Sequence, residues 1–204
     1  MGFPAVGAID CDVHPAVPGM RALLPYLEEH WREQVTVRGI DGLDPSSYPV
    51  NVPANGRPDW RPVAGKPGSD VGLMRQHVLT PFHTRYAILN CLYGASSVFN
   101  VHLAAALCRA INDWVVAEWL DKEPRLRASI VVPVQDAEFA AAEIDRCAGD
   151  RRFVQVLVSG GGGATEFVAG GLYLLGEVSF FISLFWVEGG VDWRTVSCLA
   201  RCLG

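Results

Sequence analysis

Charge is scarce in this chain and so is histidine. Asp, Glu, Lys and Arg make up 19% of 204 residues, and there are five His in all, which limits how many imidazole ligands a metal site can draw on. The 17 Lys and Arg are scattered, Arg151-Arg152 being only a local pair, and the formal net charge is −5 with a pI near 5.5. This argues against nucleic acid as a main partner, because neutralising phosphates needs clustered cations. No basic segment followed by a long apolar run opens the sequence, so no secretory signal is expected and the location reads as cytoplasmic. Met1-Gly2 starts as a myristoylation signal does, but Val6 stands where Ser or Thr is needed. The six cysteines are dispersed and read as reduced thiols, mostly core filler. Cys198 and Cys202 lack a second pair or a nearby His, which argues against zinc there. The run Gly160 to Gly163 has neither dinucleotide-fingerprint spacing nor the Lys of a P-loop, which argues against phosphate.

Hydrophobic residues are abundant, at half of the chain, enough for one domain with a sizeable core. The stretch Ile9-Asp10-Cys11-Asp12-Val13-His14-Pro15 ends an apolar segment with a carboxylate and an imidazole two residues apart. Residues i and i+2 of a strand point to one face, so Asp12 and His14 can reach one point, with Asp10 a step behind. Two readings stand side by side. The pair is either half of a metal site, which usually takes three protein ligands, or a hydrogen-bonded strand end.

Ala5 to Val13 reads as a buried strand, and Met20 to Val35 as a helix in which Pro25 makes either the first turn irregular or the start later. Residues 38–70 are a Pro- and Gly-rich insertion, with Tyr48 and Trp60 as possible anchors; such a loop is either functional or a solvated excursion. Helices are then expected over Val71 to Val78, Val101 to Leu120, and from an Asp136 cap through Cys147. Strands are expected over Tyr86 to Leu92, Ala128 to Val134 and Phe153 to Val158. Alternation of continuous apolar strands with helices implies an α/β fold with parallel strands, met by a doubly wound sheet and by a (β/α)₈ barrel. A barrel places its chemistry at the C-terminal strand ends, where Asp12 and His14 lie.

Several of these segments together resemble the amidohydrolase-related family. They are Ile9 to Pro15, Arg21 to Leu27 with Trp31-Arg32-Glu33, Tyr86 to Gly94, Ala110 to Trp114 and Arg125 to Pro133, in that order along the chain. The likeness is to the branch holding metal-dependent hydrolases and aromatic-acid decarboxylases, and it runs from about Ala8 to Val158. It implies a (β/α)₈ TIM barrel, here its first four β/α units, with zinc or manganese at the strand tips. It also implies a small carboxylated substrate and hydrolysis or nonoxidative decarboxylation. The family's first-strand ligand motif maps onto Asp12 and His14. Its further ligands, a His from a middle strand and an Asp from the last, have no counterpart. His30, His77, His83 and His102 all precede the fourth strand and read as surface or capping residues, and Asp192 lies in unlike sequence. Asn90 and Tyr93 are placed to line the pocket, a role that packing or a turn would explain equally well.

Residues 159–204 read as a Gly-rich, apolar tail unrelated to the family, the join expected of a truncated or frame-shifted gene. Three functional readings follow: a metal-dependent enzyme impaired by truncation, a non-catalytic fragment that would pair with another half or form a homo-oligomer, and a protein anchored to a membrane by residues 167–187. Glu177 and several glycines interrupt that run, which favours a collapsed segment over a span.

Overall fold

A computed structural model of the chain describes residues 7–43, 59, 62–63, 65–158 and 180–182. Strands β1 (Ile9–Val13), β2 (Tyr86–Leu89), β3 (Leu126–Val131) and β4 (Phe153–Val158) form a parallel sheet in the order of the chain, and β5 (Phe180–Ile182) adds antiparallel to β4. The helices are α1 (Met20–Leu23), α2 (Glu29–Val37), α3 (Val71–Met74), α4 (Val101–Val115) and α5 (Ala137–Cys147). Parallel neighbours need a crossover connection, and helices supply it after β1, β2 and β3.

Local chemistry explains most element boundaries. The Asn100 side chain accepts from the backbone N–H groups of His102 and Leu103, each at 3.1 Å, and so starts α4. That helix buries Leu103, Leu107, Ile111, Trp114 and Val115 at helical spacing, then widens into a π-helical turn, Val116–Leu120, that buries Trp119 and Leu120. Asp136 caps α5 by accepting from Phe139 N at 2.9 Å. A single helix over 20–35 does not form. Pro25 lacks an N–H and sits in a 3₁₀ turn, Leu24–Tyr26, and Leu27 is extended before α2 begins. The Arg32 guanidinium takes the carbonyls that this break releases, Leu24 O at 3.1 Å and Leu27 O at 3.0 Å.

The core lies between the sheet and α4, which packs against α1, β3 and α5. Leu107, Ile111, Trp119, Leu126 and Ile130 are almost wholly buried. Each such aliphatic side chain stabilises the fold by about 1.5–3 kcal/mol. Buried Asn112 stitches three elements together. Its Oδ1 accepts from Val131 N at 2.9 Å, and its Nδ2 donates to Val131 O at 2.9 Å and to Glu143 Oε1 at 2.6 Å. Strand β1 corrects the expectation of a buried strand. It lies at the sheet edge with β2 as its neighbour, and Ile9, Cys11 and Asp12 are exposed. The positions Ala5 and Val6 fall outside the described residues, as do Tyr48, Trp60, Cys198, Cys202 and Asp192. Most of the 159–204 tail does so too. Among the described residues no helix is long and apolar enough to cross a membrane.

Just before β3, at the N-terminal end of the strands, Glu123 is almost fully buried between two guanidinium groups. Arg75 Nε donates to its Oε2 at 2.6 Å, and Arg125 donates through Nε at 2.8 Å and through its terminal nitrogen at 3.0 Å. The Arg125 hydrogen bond, with help from Arg75, holds this carboxyl down at about 2 against an ordinary 4.5. A carboxyl whose pKa is lower in the folded state stabilises the fold fully above its unfolded pKa and loses that contribution as pH falls through the folded one. The shift corresponds to roughly 3 kcal/mol at neutral pH. Urea unfolding at several pH values tests this: Glu123→Gln is less stable than wild type at pH 7, and the gap narrows steadily between about pH 4.5 and pH 2.

Candidate metal centre

Asp12 and His14 stand at the C-terminal end of β1 with His14 Nε2 3.0 Å from Asp12 Oδ1. Both side chains are largely open to solvent, 43% for His14 and 63% for Asp12, so an ion has access and the bare ion pair adds little stability. Two donors bound to one ion at about 2.1 Å, roughly 90–110° apart, lie about 3.0–3.4 Å from each other, so this spacing suits a shared cation. Imidazole nitrogen with carboxylate oxygen is a donor set that zinc and manganese accept.

Asp10 does not simply repeat the alternation. Its Oδ1 accepts from Asp12 N at 3.1 Å, and this bond spans a register shift. From Asp10 to Val13 strand β1 advances three residues while β2 advances two, from Ala87 to Leu89. Such an extra residue re-aims the side chains beside it.

Behind the pair lies a buried polar row that crosses the sheet. Asn90, fully buried just past β2, donates from Nδ2 to Cys11 O at 3.0 Å and to Asp12 Oδ1 at 3.3 Å. Its Oδ1 accepts from Ser129 Oγ of β3 and from Gln155 Nε2 of β4, the latter at 3.0 Å. Gln155 Nε2 also donates to Ser129 Oγ at 2.7 Å. A second register shift makes this possible: Ala128 pairs with Phe153 but Ser129 pairs with Gln155, so β4 gains one residue and Gln155 takes the place Val154 would hold. Asn90 was a candidate from the sequence as a pocket-lining residue. It is instead enclosed and fully hydrogen-bonded. Ser129 and Gln155 escaped sequence reading, although each is a polar interruption in an apolar strand, and that was the available signal.

Tyr93 is buried, with Lys66 Nζ 6.0 Å from its ring centroid while the same nitrogen donates to Val17 O at 3.3 Å. Among the other histidines, His83 adopts φ 50° in the turn before β2, at the opposite end of the strands from His14. His30 stacks edge-on to Trp31 at 4.8 Å, and His102 does so to Phe139 at 5.2 Å. Among the described residues no group of three His, Cys, Asp or Glu is gathered to hold a metal. Cys91, Cys108 and Cys147 are buried and Cys11 is exposed. Burial pushes the Cys91 thiol up to about 12 and raises Cys108 and Cys147 as well, which keeps these three inert.

Against known proteins, the family model described as Amidohydrolase matches residues 9–175. The chain belongs to the amidohydrolase family. The match begins at Ile9, the first residue of β1, and runs past β4. A solved structure of 2,6-dihydroxybenzoate decarboxylase from Rhizobium is similar to this chain at 22% identity and a TM-score of 0.45. The similarity covers 76% of the present chain and 39% of that one. No curated protein matches. Members of this family typically use divalent metals, and Asp12 and His14 are of donor types that such metals accept.

The two ends of the inserted loop are pinned beside this centre. Gly94 N donates to Leu43 O at 2.9 Å, and a side chain at Gly94 would sit 2.5 Å from that oxygen. At the other end Ala16 N donates to Gly68 O at 2.9 Å. Gly68 has φ +79°, and a Cβ there would lie 2.9 Å from His14 O. Gly68→Ala is therefore expected to lower stability by about 1–3 kcal/mol through strain and displacement of the His14 backbone. Gly39→Ala is the control, since Gly39 also has positive φ but faces open space. Urea midpoints that fall equally in the two variants would show that the His14 contact contributes nothing.

Proposed function

We propose that this chain forms the opening units of a cytoplasmic (β/α)₈ barrel whose Asp12 and His14 bind zinc or manganese. The reaction is hydrolysis or nonoxidative decarboxylation of a small carboxylated substrate. The observation that carries this is the 3.0 Å approach of His14 Nε2 to Asp12 Oδ1 at a C-terminal strand end, in a chain whose family match starts at the same strand. The strand order supports the barrel reading. Strands β1 to β4 neighbour each other in chain order and run parallel, as barrel strands do, whereas doubly wound sheets reverse direction at a switch point; β5, antiparallel to β4, stands outside that pattern. Barrel enzymes keep their chemistry at the strand end where the pair stands.

Each residue then has a task. Asp12 and His14 hold the cation, His14 through Nε2 and Asp12 through its carboxylate. Asn90 steadies Asp12 by donating to Oδ1. The backbone of Gly68 lies against His14 O and limits how far the imidazole's own segment can move. A cation held there would supply Lewis acidity toward a substrate carboxylate or carbonyl. A second reading is a non-catalytic chain that carries half of a metal site, and it is favoured by the lack of a third gathered ligand among the described residues.

Metal analysis after gel filtration separates the two. Near-stoichiometric zinc or manganese in the wild type, lost in Asp12→Ala and in His14→Ala, supports the metal centre. Turnover of an aromatic or aliphatic carboxylate by that metal-loaded peak supports the enzyme. Full metal content in either variant would remove these two residues from the site.

A further inference from the structure

We infer that Asn90 is a positioning residue for the Asp12 ligand, its amide oriented by the Cys11 carbonyl and held in place by a clamp formed by Ser129 and Gln155. The inference rests on the metal-site reading above and adds to it the means by which the carboxylate is aimed.

Hydrogen-bond accounting carries the argument. A side-chain amide has two N–H donors and two acceptor lone pairs, and a buried one must use them or forfeit about 1–3 kcal/mol for each polar atom left unmade. Asn90 is fully buried and uses all four. Its two donors go to Cys11 O and Asp12 Oδ1, and its oxygen accepts from Ser129 Oγ and Gln155 Nε2. Cys11 O is a backbone carbonyl and can only accept, so the Asn90 NH₂ must face it and Asp12 with it. Turning the Asn90 amide over would set oxygen against oxygen at Cys11. On the other side Ser129 and Gln155 complete the hydrogen bonds of the Asn90 oxygen and hold the amide in place. The Asn90 backbone is fixed as well, its N–H donating to Val13 O at 2.7 Å.

Both register shifts serve this row. One lies in β1 between Asp10 and Val13, and the other brings Gln155 opposite Ser129. Neither burial nor strand pairing requires polar side chains here: Leu, Val or Ala would fill the same sheet positions without a network. Partners that orient a metal ligand in this manner are worth 10–100-fold in affinity when removed.

The clamp's polarity can be inverted with almost no change of shape by Gln155→Glu. A carboxylate at position 155 accepts where the amide nitrogen donated, so it competes with Cys11 O and Asp12 for the Asn90 NH₂ and draws the donor away from Asp12. Three readouts are taken on purified protein: the dissociation constants for Zn²⁺ and for Mn²⁺ by competition titration, the side-chain NH₂ resonance of Asn90 in the metal-free protein, and urea stability. The expected result is a 10-fold or greater loss of affinity with a displaced Asn90 resonance. Glu123→Gln, which lowers stability from the opposite end of the sheet, leaves affinity and resonance unchanged, so a loss that merely follows stability is recognised. Should Gln155→Glu fail to fold, Gln155→Met removes the donor without inverting it and lowers affinity in the same direction by a smaller factor. Wild-type binding with affinity within twofold in the folded 155 variant overturns the clamp alone. A wild type that takes up neither ion overturns the metal reading and this inference together, and the two failures are thereby distinguishable.

Discussion

A buried amide with four hydrogen-bonding positions tolerates few surroundings, and the end of this sheet is arranged to satisfy one. Asn90 draws its partners from β1, β3 and β4, so four strands are referred to a single side chain. The low polarity of the interior makes each of those bonds stronger than it would be in water and makes a missing one costly. The strands are accordingly held in relative register by a polar row as well as by their backbone ladders. The two places where the ladder shifts are the places where a polar side chain had to be brought into line.

The two ends of the strands divide the work. At the N-terminal end Glu123 with Arg75 and Arg125 forms a buried carboxylate held by two guanidinium groups, and Arg152 bridges Asp150 and Asp121 nearby in the chain. These contacts tie helices to strands. At the C-terminal end the exposed Asp12–His14 pair contributes little to stability and remains open to solvent. Glycines with close backbone neighbours, Gly68 against His14 and Gly94 against Leu43, bring the insertion's ends to this rim. Structural charge thus lies at one end of the strands and an open carboxylate–imidazole pair at the other.

Much of the scaffold was legible in the sequence. Periodicity marked α4, and capping residues marked its neighbour α5 through Asp136. Continuous apolar runs marked β2, β3 and β4 within a few residues. Two elements differ from their simplest reading for identifiable reasons. The first long helix divides at Pro25, as that residue signalled, and Arg32 reaches back eight residues to take a carbonyl the break releases, a contact that local propensity does not contain. Strand β1 was read as buried from its apolar lead-in, but its exposure depends on how many strands flank it. At the site, the i, i+2 spacing of Asp12 and His14 identified the pair correctly as neighbours in space. The same alternation rule placed Asp10 beside them, and the register shift gave its carboxylate to a backbone N–H instead.

The chain's order of apolar and polar residues determined its class, its parallel strands and the Asp12–His14 pair, because these follow from side-chain periodicity and from neighbours two residues apart. The polar row was decided only by tertiary structure. Asn90, Ser129 and Gln155 are separated by 39 and 26 positions, and their meeting depends on the register of three strands and on one inserted residue in β4. Register is a property of packed strands, settled by what each face buries once the sheet exists, and a shift of one residue exchanges the faces. No local pattern of residues encodes that choice.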